Sequence, residues 1–273
     1  MPDNLLILVA GGLFSGVLAG FLGIGGGTVL VPILVALGYT PVQAVATSSL
    51  AIVITSISGS VQNFRMGVLD LKKVFALGLP SVITAQLGVY IASNVASYIL
   101  LAAFGVLLWL NIYLVELRKQ VVARKQREEA ARILADPENP SHPEEKPVNP
   151  TIARIATGGI AGVLAGLFGI GGGVIMVPMQ MLLLGETIKV AIQTSLGVIM
   201  ITALSAASGH YFAGNVLFLE GLILGSGGLV GAQISTRFLP KLPDQVISFA
   251  FRALLALLSV NVFWQAWASF NAR

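Results

Sequence analysis

The sequence predicts an all-α integral membrane protein. It is expected to hold two inverted five-element helical repeats whose glycine-broken helical hairpins meet near the midplane. Three observations carry that expectation. The 273 residues are 56% hydrophobic and only 10% charged, with mean hydropathy +0.88, whereas about a quarter of a soluble domain is charged. Residues 20–34 read GFLGIGGGTVLVPIL and residues 166–180 read GLFGIGGGVIMVPMQ, so one stretch is written twice. The lysines and arginines flank the apolar runs in complementary patterns in the two halves.

Each element of the first half follows from its apolar run. Element A covers residues 4–22 and ends at Gly23-Ile24-Gly25-Gly26-Gly27. Glycine costs a helix interior about 1 kcal/mol relative to alanine, so the cluster marks a break. Element B, residues 27–38, is shorter than the roughly 20 residues of a spanning helix. Either A and B both cross, or they form a re-entrant hairpin; both arrangements stay open. Element C (41–62) opens with Thr40-Pro41, a cap followed by proline in the first turn. Elements D (70–92) and E (96–116) complete the first repeat, residues 1–116.

Residues 117–150 form a charged, proline-rich linker. Its first part has helix formers of mixed charge, so element E is expected to continue beyond the bilayer. DPENPSHPEEKPVNP reads as disordered, with His142 solvated and inert. The second repeat, residues 151–273, matches at an offset of 146 (Gly25 to Gly171), widening to 147 after element C (Gln86 to Gln233). Ser48-Ser49-Leu50 aligns with Thr194-Ser195-Leu196, and Asn63 with His210. Landmarks in a fixed order make this an internal duplication.

Loop charge gives the orientation. Arg65, Lys72 and Lys73 lie between C and D of the first half, and Arg118, Lys119, Arg124, Lys125 and Arg127 follow E. In the second half Lys189, Arg237 and Lys241 occupy the complementary loops. By the positive-inside rule the repeats are inverted in a plasma (inner) membrane. Both termini are expected outside, with the linker cytoplasmic.

Candidate binding residues come first from the two turns: Gly23, Gly25, Gly26 and Gly27, with Gly169, Gly171, Gly172 and Gly173. Without side chains there, backbone N–H groups at two convergent helix starts can approach an anion closely. Close packing of a hairpin is the competing use of the same glycines. Thr28 stands where the second copy has Val174, so a hydroxyl contact there would be one-sided. Thr47, Ser48 and Ser49 face Gln193, Thr194 and Ser195 as matched polar patches in element C. Such hydroxyls either line a site or bond neighbouring backbone. His210 and its counterpart Asn63 are candidates for proton or substrate gating, with an interfacial role for His210 at the outer end of its helix as the competing use. Gln86 and Gln233 are expected to bond between helices.

Several classes are excluded or disfavoured. The chain has no cysteine, which removes thiolate chemistry and Cys-based metal sites. No metal site or cofactor is expected, and an enzyme is not. Ser208 and His210 sit two apart on a helix, where side chains do not face each other. The sequence pI near 9.5 belongs to loops beside apolar spans, so the partners are the bilayer and a small anion rather than nucleic acid. The glycine surplus also suits packing between two copies, leaving a homodimer open. A passive anion channel with a glycine-lined path is the alternative to a carrier.

The doubled GIGGGxxxxP segment, with TSSL and QTSL after it, resembles the TauE/SafE family of membrane transporters. The likeness covers nearly all of the chain outside the linker. It implies a secondary transporter of small sulfur-containing anions such as sulfite, sulfoacetate or a related organosulfonate, with export the expected direction.

Overall fold

The computed structural model describes residues 4–114 and 149–271, all of whose regular elements are helical. In the first repeat these are α1 (Leu5–Leu22), α2 (Gly27–Ala36), α3 (Pro41–Arg65) and α4 (Leu71–Asn94), then α5 (Ser97–Leu114). The second has α6 (Pro150–Phe168), α7 (Gly173–Leu183), α8 (Ile188–Phe212), α9 (Phe218–Phe238) and α10 (Asp244–Asn271), with a 3₁₀ turn at Leu239–Lys241. Eight of them are long and apolar enough to cross a membrane; α2 and α7 are not. The expected extension of element E and the inert His142 lie outside the described residues.

Local chemistry sets the ends. Thr40 caps α3 in a reciprocal capping box with Gln43, and Pro41 occupies the first turn. Asp70 accepts from the Lys72 and Lys73 amides at the start of α4, and Asn149 caps α6 ahead of Pro150. Helix α1 ends at Gly23 and α6 at Gly169, each in the left-handed conformation that glycine adopts without a Cβ penalty.

The short helices double back. Ser15 Oγ donates to Gly26 O at 3.1 Å, and Gly11 lies against Ile33, so α2 returns along α1. Gly172 packs on Ala161 in the same way, returning α7 along α6. With 10 and 11 residues, these arms are about 15 Å long, half the hydrocarbon thickness. Each pair is therefore a hairpin with a short return arm.

The repeats interlock through close helix contacts. Gly12, Gly16 and Gly20 of α1 meet Leu224, Gly228 and Ser235 of α9 in turn, so those helices run parallel. Gly158, Gly162 and Gly166 of α6 meet Leu77, Ser81 and Ala85 of α4 in the same order. Small residues at such spacing let backbones approach closely, the main source of helix association in lipid. Helix α3 follows α9 (Leu50 on Gly221, Ile54 on Gly225), and α8 follows α4 (Val74 on Gly197, Ile201 on Gly78). Gly59, late in α3, lies against Leu196, early in α8. At the other end Gly169, closing α6, lies against Val45, early in α3. The counterpart pairs α1 and α6, α3 and α8, and α4 and α9 thus run in opposite directions.

One alignment needs correction. Helices α3 and α8 both have 25 residues and start after capping threonines, Thr40 and Thr187. The offset is therefore already 147 at the start of α3, because α7 is one residue longer than α2. Thr47 corresponds to Thr194 and Ser48 to Ser195, rather than Ser48 to Thr194.

Candidate functional site

The two glycine turns touch. Gly27, at the start of α2, lies directly against the Gly169 carbonyl; Gly173, at the start of α7, lies against the Gly23 carbonyl. Gly25 and Gly171 both lie against Ile52 of α3 and Ile199 of α8. Those isoleucines are themselves counterparts and are fully buried, as are Ile24 and Ile170 within the turns. All eight candidate glycines are thus gathered at one place, where the two hairpins and the two longest-buried helices meet.

The backbone there is unusual in a way the sequence allows only for glycine. Gly25 and Gly26 have φ of 74° and 82°, and Gly171 and Gly172 have 71° and 77°. Gly26 and Gly172 are the N-caps of α2 and α7, and neither start has a side-chain cap. The first amides of a helix have no acceptor within it, and together with the helix dipole they form an anion-favouring end. Of the helices that start outside this centre, α3, α4, α6 and α8 have side-chain caps, whereas α1 and α9 do not.

The polar candidates divide. Thr28, in the first turn of α2, is fully buried, and its Oγ1 has no hydrogen-bond partner. An unmatched buried hydroxyl costs about 1–3 kcal/mol, and Val174 occupies the equivalent place without that cost. Ser48 Oγ lies 2.9 Å from both Val45 O and Gly169 O, joining α3 to the opposite turn. Its counterpart Ser195 is drawn elsewhere, donating to Ala191 O at 2.6 Å and accepting from Gln180 Nε2 at 3.2 Å. Ser49 bonds Val45 O of its own helix. Gln193 and Thr194 are buried in α8. Thr47 Oγ1 accepts from the Leu217 amide, capping the approach to α9.

His210 and Asn63 lie in the last turns of α8 and α3, both fully buried. His210 Nε2 is 2.9 Å from Gly166 O, one of the carbonyls left free where α6 stops. A carbonyl only accepts, so Nε2 carries the proton and Nδ1 is a bare acceptor, with no partner of its own. Both amide atoms of Asn63 are likewise unpartnered. Neither residue hydrogen-bonds to the glycine turns among the described residues; His210 bonds the final turn of α6, which leads into the second one.

Gln86 and Gln233 act between helices as expected. Gln86 Nε2 donates to Ser205 O at 2.7 Å, and Gln233 Nε2 to Ser58 O at 3.1 Å, in symmetric positions. Sequence reading missed Ser15, Gln180 and the Ile52–Ile199 pair. Gln180 left a signal, being the one polar side chain in GVIMVPMQMLL. An isoleucine among apolar neighbours leaves none.

The comparisons with known proteins identify the family. The family model described as sulfite exporter TauE/SafE matches residues 8–262. YunE of Bacillus subtilis, a probable membrane transporter protein, is 28% identical over 271 residues, covering 96% of this chain and 98% of its own. YdhB of the same organism, also a probable membrane transporter protein, is 26% identical, covering 90% and 94%. MJ0441 of Methanocaldococcus jannaschii, described in the same words, is 28% identical, covering 73% and 69%. No solved structure matches the chain. With eight helices long and apolar enough to cross a membrane among the described residues and a family match over nearly its whole length, this chain is a multi-pass membrane transporter and belongs to the TauE/SafE family.

Proposed function

We propose that the chain carries small sulfur-containing oxyanions, with sulfite as the first candidate, by alternating access around the paired glycine turns. The observation that supports this most is that two uncapped helix starts from opposite repeats, Gly26–Gly27 and Gly172–Gly173, each press on the other repeat's glycine turn, beside the unpartnered Thr28 hydroxyl. Two positive helix ends and a hydroxyl offer an anion several donors without a buried cation. The turns and Ile52–Ile199 fill the centre, so entry of a ligand requires the hairpins to separate. Counterpart helices running in opposite directions support an inverted pair, in which separation on one face is matched by closure on the other. Loop charge supports a cytoplasmic linker, with both termini outside a plasma (inner) membrane. Export is the direction we assign, following the family description. His210 is the proton-exchange candidate because its bare Nδ1 offers a site for a proton.

The test is uptake of labelled sulfite into proteoliposomes, with sulfoacetate, sulfate, thiosulfate and chloride as competitors. Saturable uptake that sulfoacetate or unlabelled sulfite suppresses is expected. Flux that rises linearly with concentration would identify a channel, and no flux of any of these anions would end the proposal.

A further inference from the structure

The duplication places one more pair of contacts at equivalent sites. Tyr39, in the turn between α2 and α3, donates its hydroxyl to Glu220 Oε1 near the start of α9 at 3.3 Å. Glu186, in the turn between α7 and α8, accepts from Lys73 Nζ near the start of α4. Tyr39 and Glu186 are 147 apart, as are Lys73 and Glu220. Each contact ties the end of a return arm in one repeat to the fourth helix of the other. Parallel α3 and α9 both start beside the Tyr39 contact, and parallel α8 and α4 beside the Lys73 contact. Since α3 and α8 run oppositely, the two contacts lie on opposite faces.

They are not equally strong. The Glu186 side is ionic, with both side chains partly shielded, at 27% and 18% exposure. On the same face Lys189 Nζ lies 3.5 Å from Asp244 Oδ1 and donates to Pro240 O at 3.2 Å, joining the start of α8 to the start of α10. On the other face a neutral hydroxyl meets a carboxylate, and no ion pair is recorded there among the described residues. Burial first, and the neighbouring Glu220 carboxylate second, hold the Tyr39 proton above the usual tyrosine range, so the hydroxyl remains a donor at neutral pH.

We propose that Tyr39–Glu220 and Lys73–Glu186 are matched latches, one on each face, which position the return arms and decide the face on which the turns separate. The Lys73–Glu186 face is held shut more firmly, so the protein opens first on the Tyr39 face. By the orientation given above, the firm latch is cytoplasmic. The idea rests on the alternating-access reading but is tested without any substrate. A hairpin that merely packs has no need of equivalent polar ties at both far ends, whereas a hairpin that moves needs a release at each.

The experiment uses the absence of cysteine. Ser48→Cys puts one thiol where the native hydroxyl meets the Gly169 carbonyl. The full-length protein in sealed liposomes of known orientation is labelled with an impermeant maleimide from either side. Lys73→Glu is expected to raise labelling from the Lys73 side by up to about fivefold, the upper end for loss of one partly shielded ion pair, and Lys73→Glu with Glu186→Lys is expected to reverse it. Tyr39→Phe is expected to raise labelling from the opposite side by about twofold, the low end for a hydrogen bond, since this one is long at 3.3 Å and only part-buried. Unchanged labelling in all three variants, or no reversal in the charge-swapped one, overturns the latches. Labelling that responds while no anion is transported would instead refute the transport reading and keep the latches.

Discussion

Helices α2 and α7 start alike: each follows a turn of positive-φ glycines, lacks a side-chain cap and presses its first residue onto the other repeat's turn. Their surroundings differ. The first repeat brings Thr28, Ser15 and Ser48 to the centre, where the second has Val174, Ala161 and a Ser195 engaged by Gln180. At the helix ends the first repeat has Asn63 where the second has His210. Backbone geometry is therefore what both copies must keep, and side-chain chemistry is what they can divide. In an alternating carrier that division is useful, since one half can select the anion while the other handles a proton.

The comparison breaks most completely at the shared backbone. Gly26→Val and Gly172→Val each put a β-branched residue at positive φ, costing about 1–2 kcal/mol, and each adds an overpacking cost of about 1–3 kcal/mol. Gly26 lies against Ser15 and Gly172 against Ala161. Both variants are expected to insert and to lose all measurable sulfite uptake, with similar drops in melting temperature. Loss in only one of them would show that the repeats are not equivalent at the turn.

The next test exchanges the titratable position. His210→Asn copies the first repeat and cannot exchange a proton, so the pH profile of uptake over the ordinary histidine range, about 5 to 8, is expected to flatten. Asn63→His should add a second pH-dependent limb. An unaltered profile in His210→Asn would give His210 a packing role only.

Thr28→Val copies the second repeat. Loss of one hydrogen bond to a charged ligand, about 1.5–3 kcal/mol, predicts a KM for sulfite raised at least tenfold with melting temperature unchanged or higher. A fall in stability with unchanged KM would place the hydroxyl outside the site.

Smaller effects are expected at the symmetric glutamines. Gln86→Ala and Gln233→Ala each remove an inter-helix bond worth about 0.6 kcal/mol in a membrane, read as a lower melting temperature with KM unchanged. Gln86, with the Ser205 carbonyl and hydroxyl both in reach, should lose more.

The smallest is at Tyr39. Its folded-state proton affinity is raised, so its contribution is intact below the ordinary tyrosine value of about 10 and is lost as pH climbs through the higher folded value. Tyr39→Phe should remove that alkaline loss from a pH series of melting temperatures.

Much of this architecture was legible in the residues. Apolar run lengths, Thr40-Pro41 and the glycine clusters mark helix limits within a few positions, because capping and backbone conformation are local. Convergence of the turns was legible through the duplication. The phase of α3 against α8 was not: matching TSSL to QTSL by letters favours Ser48 with Thr194, whereas helix length and caps fix Ser48 with Ser195. Long-range partners are likewise invisible in a single chain. Tyr39 and Glu220 are 181 residues apart and Lys73 and Glu186 are 113 apart, and only the folded repeats bring them together.

The central claim is that one site between the two turns is presented to each face in turn, and counterflow tests it most directly. Proteoliposomes loaded with unlabelled sulfite are diluted into trace labelled sulfite, and accumulation of label is followed. The account predicts transient accumulation above equilibrium in the wild type and none in Gly26→Val or Gly172→Val. Label that only equilibrates in the wild type, at a rate indifferent to internal sulfite, would contradict it.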